Sequence, residues 1–118
     1  MRDAIVIPDL HAPYHHPDAI DFLADIRRRH KRADIYCIGD LGDQHAWSRY
    51  GRHPDALGQA EEYAAAARVI ASLTRLFPRA KVCIGNHDRR VMTAIIRSTL
   101  PSIVAPSMRD IYGTPRGW

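Results

Sequence analysis

Cysteine, lysine and long apolar runs are all scarce in this chain. Its two cysteines, Cys37 and Cys83, lie far apart and outside any CxxC pair, so they give little basis for a thiolate zinc site. A disulfide between them is conceivable if their segments are neighbours, but a reduced, structural thiol is the expected state in a reducing compartment. The run Ala33 to Leu41 is interrupted by Asp34 and Asp40 and falls far short of the ~18 apolar residues of a membrane span. No membrane association is expected. Met1-Arg2-Asp3 leads directly into a β-like segment without the apolar stretch of a signal peptide, and the chain is read as cytoplasmic. Low-complexity tracts are absent too, as are repeats beyond a Cys-Ile-Gly echo at 37–39 and 83–85. At 118 residues, 46% of them hydrophobic, one core is expected and a second domain of ordinary size is not.

The charge that is present is unevenly placed. Seventeen Lys+Arg against 13 Asp+Glu give 17 − 13 = +4. Residues 1 to 63 hold 8 basic and 11 acidic side chains (−3), and residues 64 to 118 hold 9 and 2 (+7). The second half should therefore attract anions, unless its basic face is simply solvated. Fifteen of the 17 cations are arginine, whose fork suits phosphate, although genomic base composition would produce the same bias.

Three short apolar runs end abruptly in Gly or Pro and a polar cluster. They are Ala4 to Ile7 before Pro8-Asp9-Leu10-His11, Ile35 to Ile38 before Gly39-Asp40, and Val82 to Ile84 before Gly85-Asn86-His87-Asp88. Unbroken runs of this kind read as strands of a parallel sheet buried on both faces. Helical spacing is expected over Asp18 to His30 and over about Pro54 to Phe77, where Tyr63, Ala67, Ile70, Leu73 and Phe77 recur, and again from near Asp88 through Arg97. The order β-α-β-α-β-α predicts an α/β fold, a parallel sheet with flanking helices. Beyond Leu100, Pro101, Pro106, Gly113, Pro115 and Gly117 predict an irregular tail.

In an open parallel sheet, ligands bind where strands end and helices begin. Asp9, His11, Asp40, Asp43, Asn86, His87 and Asp88 should converge there. Singly each has an ordinary role as a helix cap, turn former or surface imidazole. Gathered together, their carboxylates repel one another unless cations neutralise them, and a divalent metal does so economically. Carboxylate, imidazole and amide donors without thiolate suit Mn, Fe, Zn or Ni, with Mn favoured. Asp40, on the middle strand, is placed to bridge two ions.

Asp9-Leu10-His11, Gly39-Asp40 with Asp43, and Gly85-Asn86-His87-Asp88 resemble the DxH, GDxxD and GNH(D/E) blocks of calcineurin-like metallophosphoesterases, in the family's order. The resemblance implies the N-terminal half of an α/β/β/α sandwich. It implies two divalent ions, the first on Asp9 and His11, with Asp40 bridging and Asn86 on the second. It further implies that His87 contacts the phosphate or protonates the leaving oxygen while Asp88 orients its imidazole. Asp43 would act behind a metal ligand. The activity implied is hydrolysis of a phosphomonoester or phosphodiester, nucleotide or nucleic acid included, by a metal-activated water. The family's later histidine blocks have no counterpart, since no histidine follows His87. The remaining ligands are expected from chain beyond Trp118 or from a partner, a second copy included, and the 118 residues are read as a truncated domain. The alternative is a non-catalytic anion- or nucleic-acid-binding module with a vestigial half-site.

Other features have weaker readings. Arg27-Arg28-Arg29-His30-Lys31-Arg32 complements a helix C-terminus and is expected to be a wet surface. His15-His16, between Pro13 and Pro17, reads as loop. Arg89, and Arg90 beside it, follow the third block at a helix start, where Asn86, His87 and Arg89 would meet substrate phosphate. Trp47 and Tyr50, with Arg49 and Arg52, would either stack a nucleobase or pack a helix on the core.

Overall fold

A computed structural model describes residues 3–118; Met1 and Arg2, on which the signal-peptide expectation partly rests, lie outside them. Strands β1 (Ala4–Ile7), β2 (Asp34–Cys37) and β3 (Lys81–Val82) form a parallel sheet in the order β1-β2-β3. Helices α1 (Ala19–Arg29) and α2 (Gln59–Leu76) connect them, and α3 (Arg89–Arg97) and α4 (Met108–Tyr112) follow. Mixed α/β architecture with flanking helices is thus present as expected. Among the described residues no helix is long and apolar enough to cross a membrane.

The sheet differs from expectation in how it is covered. Ile5 pairs with Ile35 and Ile7 with Cys37, so these four side chains share one face. Ile7, Ile35 and Cys37 are buried with Leu23 of α1 and Ala66, Ile70 and Leu73 of α2 in a single core. Strands added in sequence order by right-handed crossovers bring both helices to that one face. The other face is left open: Val6 is 54% exposed, and Ile38, just past the end of β2, is exposed as well. The strands are therefore buried on one face only.

Register also separates the cysteines. Cys37 stands opposite Val82, so Cys83, one residue on, points to the other side of the sheet. Cys37 is buried, Cys83 is exposed, and both are free thiols.

The helices sharpen in the same way. α2 begins at Gln59 rather than near Pro54, where the Gly58 N–H donates to Glu61 Oε2 at 3.0 Å. Its inward stripe is Glu62, Ala66, Ile70 and Leu73, continuing to Phe77, while Tyr63 is 45% exposed. The tail is not wholly irregular. Ser107 and Asp110 cap α4 reciprocally, with Ser107 N–H to Asp110 Oδ2 at 2.8 Å and Asp110 N–H to Ser107 Oγ at 3.2 Å. Gly113, in the left-handed conformation at φ 62°, ends the helix. Ile111 and Tyr112 enter the core, and Trp118 Nε1–H donates to the Phe77 carbonyl at 2.8 Å.

Candidate metal centre

The three blocks meet at the carboxyl end of the sheet because their backbones are laced together. The first two loops run side by side: His11 N–H donates to the Asp40 carbonyl at 2.9 Å, Ala12 N–H to Leu41 at 2.8 Å, and Asp43 N–H to Ala12 at 2.8 Å. Asp88 ties in the third. Its carboxylate, 1% exposed, accepts the N–H groups of Asp40 (2.8 Å), Gly42 (3.2 Å) and Gly85 (2.9 Å) and the Tyr112 hydroxyl (2.5 Å). Asp40 returns the link, accepting the His87 N–H on Oδ1 at 2.8 Å.

Close approach of the second and third loops requires glycine. A Cβ on Gly39 would stand 2.7 Å from Gly85 N, and one on Gly85 would collide with the Asp40 backbone and carboxylate. Backbone strain collects in the same place. Asp9, His11 and Asp40 all adopt positive φ, at 36°, 53° and 51°. Strain of that kind costs on the order of 1–3 kcal/mol per residue and is held only where the surroundings over-determine it.

Within this frame His11, Asp40 and His87 each offer a ligand atom, and all three atoms lie within 4.8 Å of one another. Asp43 sets both rings. His11 Nδ1 lies 2.8 Å from Asp43 Oδ1, and His87 Nδ1 lies 2.8 Å from the Asp43 carbonyl. Both oxygens only accept, so each ring donates through Nδ1–H, and a neutral His11 ring presents its lone pair at Nε2. The rings stand edge to face, centroids 4.4 Å apart. A lone-pair imidazole backed by a carboxylate, beside a buried aspartate, is a donor set that fits a divalent ion.

The other expected site residues sit around this trio. Asp9 and Asn86 are exposed on the first and third loops. Arg89, also exposed, opens α3 and lines a cleft with Asn86. Asp88 is directed into the loop backbone, and the described contacts of the His87 ring are with Asp43, Arg90 and His11. No family model, curated protein or solved structure matches this chain.

Three participants were not singled out by the sequence reading in these roles. Arg90 donates to the Asp43 carbonyl at 3.0 Å and, with its second nitrogen, reaches His87 Nε2 at 3.2 Å. Glu62, 2% exposed, accepts the N–H groups of His45 and Ala46 at 2.7 Å each and holds the short 3-10 turn His45–Trp47. Its signal is an acid on the inward stripe of α2. Tyr112, whose phenol is pushed well above its ordinary range by burial first and by the Asp88 charge second, had no local signal. Burial likewise pushes the Cys37 thiol up to about 11.

Proposed function

We propose that this chain is a metal-dependent phosphoesterase of the calcineurin-like type. The observation that carries the reading is the convergence of His11, Asp40 and His87 donors within 4.8 Å, one from each of the three sequence blocks. The Asp40 carboxylate and His11 Nε2 would hold cations, with Asp9 extending the first position and Asn86 the second. Two divalent ions, Mn²⁺ favoured, supply positive charge at the phosphoryl oxygens and bring the ionisation of water toward neutrality.

The protein's own groups do the remainder. Asp43 keeps the His11 lone pair aimed at the cation position. Arg90 and Asp43 hold the His87 ring; as an imidazolium, with Nε2–H turned from Arg90 to the substrate, it would donate to the phosphate and pass that proton to the departing oxygen as water adds to phosphorus and the ester bond breaks. Asp88 acts as a positioning residue, because it fixes the backbone from which Asp40 and His87 project. The family's later histidines, absent from this sequence, would be donated by further chain or a partner.

The deciding experiment combines metal analysis of the purified chain with hydrolysis of a chromogenic phosphodiester in Mn²⁺. Stoichiometric metal and turnover are expected, both lost in Asp40→Asn. A chain without metal above background, or an Asp40→Asn variant that keeps metal and turnover, leaves the non-catalytic anion-binding module as the reading.

A further inference from the structure

Beside the candidate centre, between α3 and the segment after the 3-10 turn, lies an open cleft of about 660 Å³. Arg49, Arg89, Arg90 and Arg97 line it together with Asn86 and Tyr50, and no carboxylate is among its lining residues. Arg28 and Arg29 on α1, by contrast, both pair with Asp25, at 2.6 and 2.5 Å. Among the described residues the four cleft arginines have no acidic side-chain partner. Guanidinium groups gathered without counter-charge repel one another, and a chain of phosphates relieves that repulsion.

We propose that this cleft binds single-stranded nucleic acid, making an oligonucleotide phosphodiester the substrate class of the adjacent centre. The substrate assignment rests on the phosphoesterase reading; the binding does not. Three features select a strand over a single phosphate or a duplex. First, Arg89 and Arg97 are eight residues apart on α3, about 12 Å along its axis, which matches a row of phosphates rather than one anion. Second, Tyr50 is 67% exposed and carries the Arg49 guanidinium 5.1 Å above its ring, an aromatic-cation pair on which an unstacked base can lie. A duplex hides its base faces. Third, Arg90 spans from the cleft to Asp43 and His87, so the strand's path is continuous with the reacting position.

The test is fluorescence anisotropy of a labelled oligothymidylate with the full chain in EDTA, across a salt series. Binding should weaken with salt at a log–log slope of about −2 to −3, the value for three or four phosphates on a single strand. Arg97→Ala should lower affinity several-fold and make the slope shallower by about 0.7, while Arg97→Lys keeps the slope. Tyr50→Ala should weaken binding by roughly tenfold with the slope unchanged. The urea midpoints of Arg97→Ala and Tyr50→Ala should match the parent's. Absence of binding, a flat salt response, equal affinity for a duplex, or Arg97→Ala and Tyr50→Ala variants that bind like the parent would each overturn the inference. Strand binding without Mn²⁺-dependent turnover keeps the groove and defeats the phosphoesterase reading. Turnover of the chromogenic ester without strand binding does the reverse.

Discussion

Asp88 and Tyr112 form a buried acid–phenol contact 2.5 Å long, and it ties the tail to the loops that carry the candidate ligands. Because folding holds the Tyr112 phenol above its ordinary range, the unfolded chain releases that proton first, near pH ~10. The Tyr112 contribution should be full below that pH and fall above it. The buried Cys37 thiol, raised to about 11, adds a loss of the same sign that begins near the ordinary thiol value of ~8.5. Urea midpoints taken from neutral to strongly alkaline pH measure this, and a flat profile would contradict it. Tyr112→Phe should flatten the upper part of the profile and cost about 1–3 kcal/mol at neutral pH, because Asp88 loses a donor. Asp43 has a different kind of influence, through the His11 ring. Asp43→Ala should weaken Mn²⁺ binding about 10–100-fold by calorimetry, the usual effect of removing a carboxylate behind a metal-binding imidazole.

At the scale of elements, the 3-10 turn His45–Trp47 depends on α2 for its N-terminal hydrogen bonds. Glu62→Ala should destabilise the fold by about 1–3 kcal/mol for each of the two donors it orphans, read as a loss in the urea midpoint. Strand–helix alternation and the ends of α1 and α3 were legible from apolar runs and periodicity. The capping pair Ser107 and Asp110, with Gly113 after it, was equally present in the sequence of α4. It was obscured because five residues between prolines and glycines carry too little periodicity to register as a helix. The N-terminus of α2 was misplaced for the opposite reason. Asp55, Ala56 and Leu57 after Pro54 do not contradict a helix, and the boundary is set by the Gly58–Glu61 hydrogen bond.

At the scale of the molecule, both crossover helices lie on one face of the sheet, and neighbouring residues of β1 should reveal it. Ile7 is 3% exposed and Val6 is 54% exposed. Ile7→Ala should cost about 2–5 kcal/mol, as core truncations do, and Val6→Ala less than about 1 kcal/mol. Equal losses in urea denaturation would mean that both faces are packed.

By itself the sequence determined the α/β class, the strand order in time, and which polar residues follow each strand, because those depend on local propensity and on spacing along the chain. The family resemblance, rather than spacing, singled out Asp43, whose carboxylate lies against the His11 ring. Tertiary structure alone decided that Cys37 and Cys83 face opposite ways, that one sheet face stays bare, and that Asp88 spends its carboxylate on backbone amides. It also brought Arg90 to His87 and Tyr112 to Asp88. These outcomes turn on register and on contacts between residues remote in sequence, where a shift of one residue reverses a side chain and no local pattern records the partner.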